Sequence, residues 1–245
     1  MKALVLAVQF MTRLPLPAVQ AEARHVSAAI RWFPVAGLLV GACVAGAAWL
    51  GFQRDPWAGA LIGLLAWVGI TGALHLDGLG DIADAAGAGH GDRSRVSAVL
   101  ADPHIGSFGV IAIVLLLLTK LLLLYLLLAQ PRPGMFWLTL VAIPALARVG
   151  PLFWTLTLPP LHAGLGRTFG AGATWVALGA WLLVGLAACL LAPGLHTPAL
   201  LAALPVAALW RWWLRGHIGG ISGDGHGAGI EVMEAALLGA LVLAP

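Results

Sequence analysis

Charge is what this sequence has least of. Of its 245 residues 9% are Asp, Glu, Lys or Arg, where about 25% is usual in a soluble domain. A surface facing water cannot be built from so little charge, and a disordered chain or a protein that coats nucleic acid needs the opposite composition. Cysteine is nearly absent too. Cys43 and Cys189 fall inside apolar runs with no CxxC or Cys/His spacing, so they read as small core residues and carry no information about redox compartment. No stretch is polar enough to form a soluble domain, and residues 1–245 therefore read as one membrane domain with short loops.

What is present is apolar. The hydrophobic residues make up 61% and, with the 32 glycines, about three quarters of the chain, against about 45–50% in ordinary domains. The expected fold is all-α, a polytopic helical bundle. A span needs about 20 apolar residues, and seven candidates follow, at 34–52, 56–74, 108–130, 134–158, 172–193, 195–214 and 230–245. The fourth is interrupted by Pro144, Arg148 and Pro151, and the seventh opens on Glu231 and Glu234. Residues 1–33 read as a cytoplasmic or interfacial segment opening with a retained helix over Met1 to Met11. Gly37 with Gly41, and Gly59 with Gly63, stand four apart, a spacing that lets helix backbones approach closely.

The net charge of +3 comes from thirteen scattered Lys and Arg residues, which fits orientation in a bilayer better than binding of a polyanion. With the N-terminus inside, ten of them (Lys2, Arg13, Arg24, Arg31, Arg93, Arg95, Arg148, Arg167, Arg211, Arg215) fall on the cytoplasmic side and two, Arg54 and Arg132, opposite. Lys120 remains at mid-span. The lipid bilayer is the expected partner and nucleic acid is not. The Trp210-Arg-Trp-Trp213 cluster fits an interfacial belt.

The acidic residues carry the functional signal. Eight of the ten lie in or beside 75–107 and 216–234, which this topology puts on the same side. In His75-Leu-Asp77-Gly-Leu-Gly-Asp81-Ile-Ala-Asp84 three carboxylates stand at i, i+4 and i+7, one face of a helix. At ~6 Å and an effective dielectric of about 20 each pair repels by about 3 kcal/mol, so a cation must compensate. Oxygen ligands without cysteine favour Mg²⁺ or Mn²⁺ over Zn²⁺.

The second segment has six glycines among residues 219–229, directly before an apolar helix. It matches neither the Walker nor the dinucleotide spacing, yet as a loop it could offer bare N–H groups of Gly220, Ser222 and Gly223 to a phosphate, with Asp224 and Glu231 nearby. Asp102, just before the third span, reads as a helix cap or a further ligand. His75 and His226 are second-tier candidates, as is His104. Lys120 and Arg148, ionisable at membrane depth, could hold a phosphate or balance the acidic cluster.

With these residues assembled, the chain resembles the cobalamin synthase (adenosylcobinamide-GDP ribazoletransferase) family of integral membrane enzymes. The likeness runs nearly end to end: Phe10-Met-Thr-Arg-Leu-Pro-Leu-Pro17, Phe33-Pro-Val-Ala-Gly37, His75-Leu-Asp-Gly-Leu-Gly-Asp81 with Asp84, Asp102 with Gly106 and Gly109, and Gly220-Ile-Ser-Gly-Asp224 with Gly227, Ala228 and Glu231. It departs at Ala85, where Gly is usual, and at Ile221-Ser222, where Gln-Thr is usual. The resemblance implies transfer of adenosylcobinamide phosphate from its GDP-activated form onto α-ribazole or its 5′-phosphate, with release of GMP, in the inner membrane of a bacterium. It implies Mg²⁺ held by Asp77, Asp81, Asp84, Asp224 and Glu231. Glu231, Asp102 and His75 become the catalytic candidates, and Lys120, Arg148, Gly220, Ser222, Gly223 and His226 the phosphate or substrate contacts. Homo-oligomerisation, or association with other enzymes of cobalamin synthesis, stays open. Two other classes share part of the pattern: a CDP-alcohol phosphotransferase, whose DGxxAR string is broken here by Asp81, and a cation or solute transporter, which would carry polar residues along several spans.

Overall fold

The computed structural model describes residues 1–89, 92–130, 136–161, 165–191 and 201–243. Among these the backbone is helical, with one isolated parallel bridge between Pro160 and Ile221. The helices are α1 (Lys2–Met11), α2 (Ala23–Ala29), α3 (Phe33–Phe52), α4 (Pro56–Thr71), α5 (Leu74–Gly89), α6 (Arg93–Leu100), α7 (Ser107–Ala129), α8 (Phe136–Ala147), α9 (Gly150–Thr157), α10 (Leu165–Gly170), α11 (Trp175–Leu191), α12 (Ala203–His217) and α13 (Gly223–Leu243).

Among the described residues four stretches can cross a bilayer by length and apolarity: Ala23–Phe52, Ser107–Ala129, Phe136–Thr157 and Gly223–Leu243. The α4–α5 pair makes a fifth if it counts as one broken span. The protein is a multi-pass membrane protein, and the described residues do not confirm the expected count of seven. Helix α11 has 17 described residues and α12 has 15. Part of the expected 195–214 span, residues 195–200, lies outside the described residues.

The α4–α5 corner positions the acidic helix. Asp55 caps α4, accepting from the Ala58 N–H at 2.9 Å, and Pro56 follows at the first helical position. The helix then ends on two consecutive left-handed residues, Gly72 (φ 61°) and Ala73 (φ 57°), and α5 leaves at 84° to α4. The segment after α1 pins this corner, with the Arg13 N–H donating to the Ile70 carbonyl at 2.8 Å and the Arg13 side chain packed over Gly72.

Helix α7 turns most of its length outward, exposing Val110, Ile111, Val114, Leu115, Leu118 and Leu122 as lipid would require, while Lys120 lies on its inner face. Helix α13 is the central element and packs on α5, α7, α8, α9 and α12. The expected close approach at Gly37 and Gly41 is present: a Cβ at Gly37 would stand 2.5 Å from the Pro144 carbonyl of α8, and one at Gly41 would collide with the Val141 carbonyl.

Candidate active site

Asp77, Asp81 and Asp84 lie on one helix, α5, in a gradient of burial: Asp77 is exposed, Asp81 half-buried and Asp84 buried. Asp84 meets the start of α7, where its carboxylate accepts from the Gly106 N–H at 2.7 Å and the Gly109 N–H at 2.9 Å. The negative charge thus sits on the positive end of the α7 dipole, and both oxygens are engaged. Gly106 and Gly109 make this approach feasible, because a Cβ at either would overlap the carboxylate.

The expected 219–231 loop is mostly helix. Helix α13 begins at Gly223, because the Ser222 hydroxyl caps it by accepting from the Gly225 N–H at 3.0 Å while also donating to Asp224 at 3.3 Å. The turn before it is tied to the end of α9, with the Ile221 N–H donating to the Pro159 carbonyl at 2.9 Å and the Leu161 N–H to the Ile221 carbonyl at 3.0 Å. Gly219 supplies the positive φ of 97° for this turn, and Gly220 lies against Pro159, where a Cβ would collide with its carbonyl. Ser222 and Gly220 therefore have structural tasks, while Gly223 is exposed at the helix start, where a Cβ would meet nothing.

Helices α5 and α13 cross through glycines. A Cβ at Gly78 would stand 2.8 Å from the Asp224 Cα, and one at Gly227 would stand 3.2 Å from the His75 Cα. The crossing places Asp224 beside Asp81, whose charge is opposed by those of Asp224, Asp77 and Asp84. Segments nearly 140 residues apart in sequence thus share one acidic site. Among the described residues no three Asp, Glu, His or Cys side chains are gathered closely enough to share a metal ion.

Deeper along α13 lies a second, dry cluster. Lys120 donates to Glu231 and to Glu234, each at 2.6 Å, and Arg148 donates to Glu234 at 2.7 Å. A second hydrogen bond from Arg148 reaches the Pro144 carbonyl at 2.9 Å, and its other terminal nitrogen stands 3.4 Å from His75 Nδ1. Lys120 also lies 4.4 Å from the centre of the Trp67 ring, a cation–π contact. All four charged side chains are buried. Glu231, expected as a ligand or base, and Lys120 and Arg148, expected near a phosphate, therefore pair with one another, and His75 lies beside them with Nε2 unpartnered among the described residues. Glu234, which the sequence analysis left without a role, is the residue that joins both cations.

Two candidates stand elsewhere. Asp102 is exposed and accepts from the His104 ring nitrogen at 2.7 Å and backbone N–H at 3.0 Å, contacts that hold its carboxyl below the usual carboxylate range. Asp84, not Asp102, caps α7. His226 is buried, with Nε2 3.2 Å from the Thr155 hydroxyl and its ring stacked near Trp154.

Residues 3–242 match the family model described as cobalamin-5-phosphate synthase. The chain belongs to this family. It is 52% identical over 242 residues to the adenosylcobinamide-GDP ribazoletransferase of Novosphingobium aromaticivorans, an alignment covering 97% of this chain and 95% of that protein. The enzymes of the same name from Thiobacillus denitrificans and Laribacter hongkongensis are 50% and 49% identical, again over 97% of this chain and 94% and 95% of theirs. No solved structure matches. As a cobalamin-5-phosphate synthase family member, the chain keeps the Ala85 and Ile221-Ser222 departures at structural positions: Ala85 and Ile221 are buried in the core, and Ser222 performs its cap.

Proposed function

We propose that this protein transfers the adenosylcobinamide phosphate group of adenosylcobinamide-GDP to α-ribazole or its 5′-phosphate and releases GMP, completing the nucleotide loop of cobalamin, at the cytoplasmic face of the bacterial inner membrane. Family membership over residues 3–242 supports the reaction, and the α5–α13 crossing supports the site, because it sets Asp224 against Gly78 and beside Asp81. A ribose hydroxyl attacks the phosphorus while the bond to the GMP oxygen breaks, and a diphosphate must be held throughout.

The donor set suits a hard divalent cation. It is oxygen-only, and Asp81 faces three like charges. The described carboxylates are not gathered closely enough for three to share one ion, so Asp81 and Asp224 would supply the chain's ligands to Mg²⁺, with Asp77 one turn earlier on the same helix and Asp84 fixed by α7 and orienting the helix that carries Asp77 and Asp81. When bound, the ion neutralises charge on the diphosphate and on the leaving phosphate. The chain itself supplies the rest: the α4–α5 corner aims the carboxylates, and the Ser222 cap fixes the first turn of α13. Glu231 is reserved by Lys120 and takes no part as a ligand in this reading.

The test is purified protein in detergent with Mg²⁺, adenosylcobinamide-GDP and α-ribazole, scored for GMP and cobalamin. Formation of both in equal amounts, abolished by EDTA and by Asp81→Ala, is expected. Undiminished turnover in EDTA would remove the metal, and no GMP under any condition would remove the reaction. Reporter fusions between Asp84 and Asp102 test the orientation, with a cytoplasmic signal expected.

A further inference from the structure

The α5–α13 crossing is lined by glycine. Gly78 meets the Asp224 backbone and Gly227 meets His75, whereas Gly225 and Gly229 of α13 face Leu214 and the Trp154 and Trp210 rings. Glycine lets two backbones touch, but it offers no side chains to interlock, so such a contact resists neither rotation of α13 nor sliding along α5. In lipid the hydrophobic effect adds no force between helices either. The turn before α13 is tied to the Pro159 carbonyl and the Trp210 N–H donates to the Gly225 carbonyl at 3.1 Å, but both hold α13 to α9 and α12, and neither ties it to α5 or α7.

Glu231 lies seven residues, close to two turns, beyond Asp224 on nearly the same face of α13, and Glu234 one turn further. Their carboxylates reach Lys120 on α7 and Arg148 just beyond α8, and Arg148 continues to His75 on α5. A slip of α13 by one turn one way would bring Leu237 or Leu238 opposite Arg148 and leave a fully buried guanidinium without its carboxylate, and a slip the other way would put Glu231 there but carry Glu234 past both cations. Such a slip is penalised far more heavily than any sliding of glycine on glycine.

We propose that Glu234, Arg148, Lys120 and Glu231 are positioning residues that form a register lock, fixing the rotation and depth of α13 so that Asp224 stands against Gly78 and beside Asp81. The lock touches no substrate. It deepens the site reading above, because it explains how a distant carboxylate is delivered to α5. Length matters to it as well as charge: a carboxylate one methylene shorter keeps the charge balance but pulls α13 toward the cations.

The test compares Glu234→Asp with the parent, using spin labels at Leu74→Cys and Gly223→Cys after Cys43→Ser and Cys189→Ser. Leu74 is exposed and a side chain at Gly223 meets nothing, so both labels are tolerated. A single narrow distance distribution is expected for the parent and a shifted or broadened one for Glu234→Asp. The half-saturating Mg²⁺ concentration should rise about tenfold, with kcat at saturating Mg²⁺ kept within about threefold. An unchanged distribution with unchanged Mg²⁺ dependence overturns the lock. If Glu234→Asp does not fold, the all-apolar quartet Lys120→Met, Arg148→Met, Glu231→Leu, Glu234→Leu decides: a folded protein with a broad distribution supports the lock, and the parental distribution, or failure of this variant to fold too, assigns the quartet to stability alone. If Asp81→Asn retained full activity, the metal reading would fall, and the distance measurement would still decide the lock.

Discussion

Glu231 and Glu234 each have a cation within 2.7 Å and are sealed from solvent, whereas Asp81 stands beside a glycine crossing where the charges of Asp224, Asp77 and Asp84 oppose its own. The first group is balanced internally, two acids against two bases, and needs nothing from outside. The second gathers like charges around Asp81, a repulsion that a cation entering the proposed site would offset. Acids on one helix, α13, thus stand in two settings, Glu231 and Glu234 paired with buried cations and Asp224 beside another acid. The comparison fits the balanced set to architecture and agrees with the chemistry proposed for the acidic set.

The largest effect should come from unbalancing the dry cluster. Arg148→Met leaves Glu234 with only Lys120 in a site that excludes water, and loss of about 3–5 kcal/mol of stability is expected. Thermal unfolding in detergent checks it. Combining it with Glu234→Leu should recover most of that loss, because no charge then lacks its partner. A double variant as unstable as the single one would break the distinction between the two clusters.

Next comes a change in the acidic set. Asp224→Asn should lower turnover by about 100-fold or more, equivalent to about 2.7 kcal/mol of transition-state stabilisation. The melting temperature should hold or rise, since one repulsive partner of Asp81 is gone. Rates of GMP release and melting curves on the same preparation measure both. A variant that melts early and keeps its rate would reverse the assignment.

Asp84 lies between the two cases, buried like the glutamates yet on the acidic helix. It tests whether fixing α5 to α7 is worth a helix cap. Asp84→Ala removes the acceptor for the Gly106 and Gly109 N–H groups and should cost about 1–2 kcal/mol. Hydrogen exchange at those two amides should quicken, while the centre of α7 stays protected.

The sequence made one of these groups easy to find and hid the other. Three aspartates at helical spacing on α5 and a fourth among glycines could be read directly, as could their lying toward the same side, because acids clustered in an apolar chain stand out. The helical start of α13 could not. Six glycines read as a loop, and only the Ser222 cap and the backbone contact with α5 show why they are helical. The ion quartet was half visible: Lys120 and Arg148 at membrane depth demanded partners, and Glu231 and Glu234 were two acids in an apolar run. Mutual pairing is the simplest solution to that count, but the acidic cluster competed for the same cations, and only the fold decides which acids lie at their depth. Span number was obscured for a related reason. Apolarity marks helices that contact lipid or core alike, and it cannot see a corner such as Gly72-Ala73.

The smallest effect should be at Asp102, and it closes the comparison by showing an acid that belongs to neither group. Its partner is local, the His104 ring and backbone N–H, and both residues are exposed. Because those contacts hold the carboxyl below its usual range, they stabilise the fold only while the group is ionised. The contribution is present above the unfolded Asp value of about 3.9 and disappears as pH falls through the lower folded value. Asp102→Asn should therefore melt marginally earlier than the parent at pH 7, the two should converge in acid, and turnover should stay within about twofold. A loss of activity comparable with that of Asp224→Asn would draw Asp102 into the site and show that the loop before α7 closes over it when substrate is bound.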